Sequence, residues 1–135
     1  MVKNHVLDTS AILTYLQFEE GYKIVDDVLI SAKRSQHVYI SFVTLMELYY
    51  IIWKGSGEHK AREILVLLKS LPIQSVESNQ RLTLIAGRIK ANHKLSVADA
   101  FIMATAIEKE AILVHKDPEL ENISQYVQMI TLPSH

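Results

Sequence analysis

The residues with the clearest capacity for chemistry are four acids, Asp8, Glu47, Asp99 and Asp117. Two carboxylates about 4 Å apart repel each other by about 4 kcal/mol at an effective dielectric constant of about 20, so a cluster of acids needs a cation among its members. The chain contains no cysteine, and an all-oxygen site favours Mg²⁺ or Mn²⁺. These ions retain water and bind phosphate oxygens, so the acids predict metal-assisted chemistry at a phosphate group.

Each acid also has a local structural explanation. Asp8 could cap the helix that follows it, and Asp117-Pro118 has the form of an N-cap followed by proline at the first helical position. Residues 44–47 (Thr-Leu-Met-Glu) match a capping box, and residues 96–99 (Ser-Val-Ala-Asp) resemble one. Capping does not explain why the acids of these two boxes have apolar surroundings, because acids are seldom buried without a partner.

The order of strands and helices determines whether these acids meet. Strand-like and helical segments alternate along the chain, which predicts βαβ units and a parallel sheet. We expect a three-layer α/β/α sandwich with a four- to five-stranded parallel sheet. The expected strands are residues 5–7, 37–40, 73–76 and 111–115, with an edge strand at 127–131. The expected helices are residues 11–17, 22–35, 42–53, 58–70, 78–93 and 97–110.

This topology should gather the acids at one edge of the sheet. Asp8, Glu47 and Asp117 each come after a predicted strand. The carboxyl ends of parallel strands lie at the same edge, where open α/β folds bind their ligands. Asp99 instead opens the helix before the fourth predicted strand, so it should approach the site from the side.

Composition limits the class of protein. The 135 residues, of which 49% are hydrophobic, fit a single domain spanning residues 1–135. The chain has no signal-peptide pattern and no apolar run of the ~18 residues that a membrane span needs, so we expect a cytoplasmic protein without membrane association. A net charge of −1 gives no general attraction for nucleic acid, so a nucleic-acid partner requires a local basic patch. Lys94 and Lys116 lie nearest the acids in sequence and are the predicted nucleic-acid-binding residues.

Several enzyme classes lack their motifs here. No glycine-rich phosphate loop is present, and the six histidines form no His-x-His or His-Glu-x-x-His pattern. Ser10 does not lie in a Gly-x-Ser-x-Gly elbow. Residues 8–10 (Asp-Thr-Ser) lack the second aspartate of phosphatases that use an aspartyl nucleophile. The acids therefore remain the main candidates for chemistry.

Four stretches together resemble the PIN-domain family of metal-dependent nucleases. They are Val6-Leu7-Asp8-Thr9-Ser10, Glu47 within an apolar helix, Val97-Ala98-Asp99-Ala100, and Asp117 after an apolar strand. The length of the chain is similar to that of VapC-type ribonuclease toxins. The resemblance implies that the four acids are catalytic and bind Mg²⁺ or Mn²⁺, with Ser10 and Thr9 as polar support. It also implies an endoribonuclease that leaves a 5′-phosphate and a 3′-hydroxyl on RNA, with an antitoxin protein as its partner.

The last motif differs from the family pattern. PIN proteins commonly carry Thr-x-Asp followed shortly by Asp-Phe, whereas this chain has His115-Lys116-Asp117-Pro118-Glu119. His115 replaces the threonine, and Glu119 could stand in for the second acid. A second hypothesis therefore remains open, namely a PIN-like module with weak or no activity that binds RNA or a protein partner.

The helix expected at residues 42–53 is nearly all apolar. Such a helix is predicted to be buried nearly all round, as part of the core. The alternative is that one face contacts another subunit or a partner helix. Tyr49, Tyr50 and Trp53 make a homodimer or antitoxin interface plausible on this helix.

Overall fold

Five short parallel strands form the central layer of the protein, in the order β3-β2-β1-β4-β5. The computed structural model describes residues 3–34 and 37–133. The strands are β1 (His5–Leu7), β2 (Val38–Ser41), β3 (Gln74–Val76), β4 (Ile112–His115) and β5 (Met129–Thr131). The helices are α1 (Thr9–Leu16), α2 (Tyr22–Ser31), α3 (Phe42–Ser56), α4 (Glu58–Lys69), α5 (Gln80–Asn92) and α6 (Val97–Glu108). Two 3₁₀ helices cover Ala32–Arg34 and Pro118–Ile123.

The two faces of the sheet carry separate hydrophobic cores. Leu7 and Val114 pack in a core with residues of α1 and α2, whereas Val6 and Leu113 pack in a second core with residues of α5 and α6. Consecutive residues of a strand point to opposite faces, so β1 and β4 each contribute to both cores. This arrangement confirms the predicted α/β/α sandwich, with five strands in its sheet.

Some helices begin at a different residue from the predicted one because a side chain caps them there. α1 begins at Thr9, two residues earlier than predicted, because Asp8 caps it. α5 begins at Gln80 because the Asn79 side chain accepts a hydrogen bond from the Leu82 amide at 2.8 Å. α2 ends at Ser31 and passes into the 3₁₀ helix, so the predicted continuous helix 22–35 is too long, and residue 35 lies outside the described residues.

The prediction that residues 42–53 are buried nearly all round is wrong. Leu48 and Ile52 are buried in α3, but the side chains of Met46, Tyr50 and Trp53 are 56%, 45% and 45% exposed. α3 packs against α4, α6 and α1, but none of these helices covers the apolar side chains of Met46, Tyr50 and Trp53 completely. The interface role of this helix stays a prediction.

The strand order creates a switch point between β1 and β4. From β1 the chain continues to β2 and then β3 on one side, and the α5–α6 crossover returns it to β4 on the opposite side of β1. Adjacent parallel strands whose connections leave in opposite directions open a crevice at their carboxyl ends, where ligands bind in this class of fold. Asp8 follows β1 and Asp117 follows β4 shortly after its end, so both lie at this crevice. Within the described part of the chain, no helix has the length and apolar content to cross a membrane.

Candidate metal centre

All four predicted acids line one cavity of about 410 Å³ at the switch point. Thr9, Ser10 and Lys116 complete its polar wall, and Leu13, Ile51 and Ile102 supply apolar surface. Residues that are far apart in the sequence are therefore brought together at the carboxyl edge of the sheet. The convergence expected from the topology is present in the structure.

Asp8 is the most buried of the four acids, with 6% of its surface exposed. Its Oδ1 accepts hydrogen bonds from the Ala11 amide at 2.8 Å and from the Ser10 hydroxyl at 2.7 Å. Burial, with smaller effects from the negative charges of Asp99 and Glu47, raises the pKa of Asp8 to about 7 despite these two hydrogen bonds. The predicted capping role is confirmed, and it coexists with a position in the cavity.

Ser10 connects the ends of the two central strands. Its hydroxyl donates to Asp8 and accepts a hydrogen bond from the backbone amide of Lys116 at 3.1 Å. The residue after β1 and the residue after β4 are thereby held by one side chain. This contact fixes Asp8 relative to the segment that leads to Asp117.

Glu47 reaches the cavity from the second turn of α3. The Thr9 hydroxyl donates to Glu47 Oε1 at 2.5 Å and lies 3.3 Å from the Thr44 hydroxyl. The capping box predicted at residues 44–47 is wrong, because Ser41 caps α3 through the Val43 amide at 3.3 Å. Glu47 therefore lies beyond the cap, and its carboxylate is oriented by Thr9.

Asp99 enters from the first turn of α6, as expected for an approach from the side. Ser96 caps this helix by accepting a hydrogen bond from the Asp99 amide at 3.0 Å. Burial raises the pKa of Asp99, a hydrogen bond with Ser96 lowers it, and the negative charge of Asp117 raises it. The negative charge of Asp117 therefore opposes the ionisation of Asp99.

Asp117 is exposed and begins the 3₁₀ helix at Pro118–Ile123. Its Oδ1 accepts a hydrogen bond from the Glu119 amide at 2.9 Å, which confirms the predicted cap with proline at the first helical position. Its own amide donates to Nδ1 of His115 at 3.1 Å. Glu119 is exposed and lines an adjoining groove rather than the cavity of the four acids.

The adjoining groove is larger, about 860 Å³, and shares Asp99 and Asp117 with the cavity. Lys94, Lys90 and His93 also line this groove. The structure thus places Lys94 in the same groove as two of the acids. Lys116 lines the acidic cavity, but its Nζ lies 3.1 Å from Oε1 of Glu19. No signal in the sequence indicated this partner, because the two residues are 97 positions apart.

The donor chemistry of the cavity fits a hydrated divalent ion. Among residues 3–34 and 37–133, no group of three or more acidic or histidine side chains is arranged to hold a metal ion. Mg²⁺ and the similar Mn²⁺ do not need such a cage, because Mg²⁺ usually keeps several waters and takes one or two carboxylates directly. The carboxylates of Asp8, which is buried, and Asp99, which is partly buried, have raised pKa values, so theirs are the ionised forms that a cation would favour most.

Solved structures that are similar to this chain include proteins of toxin–antitoxin systems. VapBC2 from Rickettsia felis, bound to a promoter DNA fragment, matches with a TM-score of 0.79 and 18% identity over 96% of this chain and 99% of that chain. VapBC-1 from nontypeable Haemophilus influenzae matches with a TM-score of 0.76 and 17% identity over 95% of this chain and 97% of that chain. VapC20 of Mycobacterium tuberculosis, a toxin that cleaves the sarcin-ricin loop, matches with a TM-score of 0.72 and 16% identity over 96% of this chain and 99% of that chain.

At these identities the likeness to solved structures concerns the fold alone, which is similar to that of VapC. No curated protein sequence matches the chain. The family model described as PIN domain, however, matches residues 5–125 and thus includes all four acids. Since this match covers most of the sequence, the chain belongs to the PIN domain family.

Proposed function

We propose that this protein is a divalent-metal-dependent endoribonuclease and the toxin of a type II toxin–antitoxin pair. The observation that carries the proposal is the convergence of Asp8, Glu47, Asp99 and Asp117 on one cavity at the switch point of the sheet. Membership of the PIN domain family and the fold shared with VapC proteins support the same function. The buried carboxylate of Asp8 is a costly feature for a residue that only caps a helix.

In this proposal the four acids hold one or two Mg²⁺ or Mn²⁺ ions. When bound, such an ion supplies charge neutralisation at a phosphodiester and makes a water more acidic. Ser10 and Thr9 keep the carboxylates of Asp8 and Glu47 in fixed orientations. Asp99 or Asp117 orients the attacking water from the open side of the cavity, and the products are a 5′-phosphate and a 3′-hydroxyl.

RNA would enter along the groove that adjoins the acids. Lys94 lies in this groove with Asp99 and Asp117, so its ammonium group can bind a phosphate next to the cleaved one. Lys116 can do the same from the acidic cavity if it exchanges Glu19 for a phosphate oxygen. Single-stranded or looped RNA suits an open groove better than a duplex, because proteins read RNA sequence mainly where bases are unpaired.

The same proposal includes a protein partner. The neighbours from R. felis and H. influenzae were solved as VapBC complexes, and FitAcB of Neisseria gonorrhoeae, with a TM-score of 0.70 and 17% identity over 94% of this chain and 96% of that chain, is a further neighbour. We expect an antitoxin to bind this chain and expect the chain to form a homodimer in the cytoplasm. The exposed apolar side chains of Met46, Tyr50 and Trp53 give α3 a surface suited to one of these contacts.

A nuclease assay on purified protein tests the proposal. We expect Mn²⁺ or Mg²⁺ to support cleavage of RNA and EDTA to abolish it. Substitution of a residue that only supports a metal ligand typically lowers activity by ~10–100-fold. Asp8→Asn should lower the cleavage rate by more than this, because it changes a proposed ligand itself. Asp27→Asn is the matched control, because Asp27 is exposed and pairs with Lys23 on α2. Cleavage that persists in EDTA, or an Asp8→Asn variant with wild-type activity in Mn²⁺, would contradict the proposal.

The alternative is a PIN module that binds RNA without cutting it. The observation in its favour is that Glu119, the candidate for the second acid of the last motif, faces the adjoining groove instead of the acidic cavity. RNA binding that depends on Lys94, together with no cleavage in Mn²⁺ or Mg²⁺, would support this alternative.

A further inference from the structure

His115 is a buried polar residue at the end of β4, with 0% of its surface exposed. Its Nδ1 lies 3.1 Å from the amide nitrogen of Asp117, and its Nε2 lies 3.1 Å from Oγ1 of Thr131 on β5. The Thr131 hydroxyl in turn donates to Oε1 of Glu121. Both ring nitrogens therefore have partners inside the protein.

The direction of each hydrogen bond follows from the first one. An amide N–H can only donate, so Nδ1 accepts and the proton of the neutral ring is on Nε2. Nε2–H then donates to Thr131, whose own hydrogen is left for the carboxylate of Glu121. The chain of bonds runs from the Asp117 amide through His115 and Thr131 to Glu121, and it has one consistent arrangement of protons.

This hydrogen-bond network contacts Asp117, the exposed acid of the candidate site. Asp117 is exposed, whereas Asp8 is buried and held by two hydrogen bonds. The bond from the Asp117 amide to His115 fixes the peptide plane that precedes its side chain. Groups behind a metal ligand commonly orient it in this way, and a preset orientation reduces the entropy lost on binding.

We propose that His115 is a positioning residue for Asp117, and that Thr131 and Glu121 select the ring tautomer that performs this task. The proposal rests on the proposed function in so far as Asp117 binds a metal ion. The competing explanation is that His115 only joins β4 to β5 and stabilises the fold. The two explanations differ in whether Asp117 depends on Nδ1.

Two substitutions separate these explanations. His115→Asn retains an acceptor, because Oδ1 of asparagine is separated from Cα by the same bonds as Nδ1 of histidine, but it loses the donor to Thr131. His115→Leu loses both. Each variant therefore removes the side-chain hydrogen bond between His115 and Thr131, and only His115→Leu removes the acceptor for the Asp117 amide.

The first measurement uses the full-length protein in EDTA. Nitrogen-15 NMR should show His115 with a bare Nδ1 and a protonated Nε2 in the wild type. Hydrogen exchange of the Asp117 amide should be slow in the wild type and in His115→Asn, and roughly tenfold faster in His115→Leu. A proton on Nδ1, or equal exchange in both variants, would overturn the proposal. The wild-type spectrum decides the tautomer even if His115→Leu does not fold.

The second measurement is the affinity of each protein for Mn²⁺. Electron paramagnetic resonance measures the concentration of free Mn²⁺ in a titration, and the affinity follows from it. We expect His115→Leu to bind Mn²⁺ about 10–100-fold more weakly than the wild type, and His115→Asn to stay within about threefold. Equal weakening in both variants would assign His115 a purely structural role and overturn the proposal. Absence of Mn²⁺ binding by the wild type would instead refute the proposed function, while the amide exchange would still decide whether His115 positions Asp117.

Discussion

Replacing Asp8 by asparagine should stabilise the metal-free protein at neutral and alkaline pH. The new side chain keeps an Oδ1 that can accept from the Ala11 amide and the Ser10 hydroxyl, and the change removes a carboxylate that is 6% exposed. Burial raises the pKa of Asp8 to about 7 in the folded protein, whereas an unfolded aspartate has a pKa of about 3.9. The unfolded chain therefore releases this proton first as the pH rises.

The size of the effect follows from this difference. Each pKa unit corresponds to about 1.36 kcal/mol. At about pH 5 the folded protein keeps the Asp8 proton that the unfolded chain has released, which lowers the free energy of unfolding by about 1–2 kcal/mol, and above about pH 7 this loss reaches about 4 kcal/mol. The stability lost by the wild type between these pH values is retained by Asp8→Asn. The gap in unfolding free energy between the two proteins should widen by up to about 3 kcal/mol from about pH 5 to about pH 8.

Urea denaturation in EDTA at several pH values measures this gap. Asp27→Asn should differ from the wild type by less than about 0.5 kcal/mol at each pH, because exposed ion pairs contribute little. Adding Mn²⁺ at about 100 times its dissociation constant should then stabilise the wild type by about 2.7 kcal/mol and leave Asp8→Asn nearly unchanged. A gap that does not change with pH, or an Asp8→Asn variant less stable than the wild type at about pH 8, would refute the reasoning.

Other substitutions give further expected outcomes. Thr9→Val should destabilise the protein by about 1.5–3 kcal/mol in urea denaturation, because the Glu47 carboxylate loses its donor, and equal stability would contradict this role. Lys94→Ala should weaken the binding of all RNA sequences to the same extent and leave the affinity for Mn²⁺ unchanged. The slope of the logarithm of the RNA-binding constant against the logarithm of the salt concentration should become less steep by about one. Ser96→Ala and Asn79→Ala should each cost about 1 kcal/mol through a lost helix cap, and only Ser96→Ala should alter Mn²⁺ binding in a calorimetric titration.

Local chemistry in the sequence accounts for the elements and for most of their ends. Apolar runs locate most of the strands, and short polar side chains such as Ser96 and Asp117 mark helix starts correctly because a cap needs only its own next few residues. The wrong prediction of a capping box at residues 44–47 in α3 also came from local sequence. Residues 44–47 have the pattern of a cap, but Ser41 lies at the end of β2 and starts the helix first.

Features that depend on distant residues could not be predicted in the same way. The exposure of Met46 and Trp53 depends on which neighbours cover α3, and composition does not specify them. The convergence of the acids was predictable because parallel strands share an edge, but the individual contacts were not. Thr9 reaches Glu47 across 38 positions and Ser10 reaches Lys116 across 106, so neither hydrogen bond has a local signal.

The pairing of β1 with β4 has a consequence for how the protein is made. His5 lies opposite Ile112, so the central pair of the sheet forms only after most of the chain has left the ribosome. Contacts of such large sequence separation form late and slowly in folding. A nascent chain that ends before β4 has Asp8 without its neighbour Asp117, and one edge of β1 lacks its partner strand. The acidic cavity is therefore assembled near the end of synthesis, and a shortened chain cannot possess it.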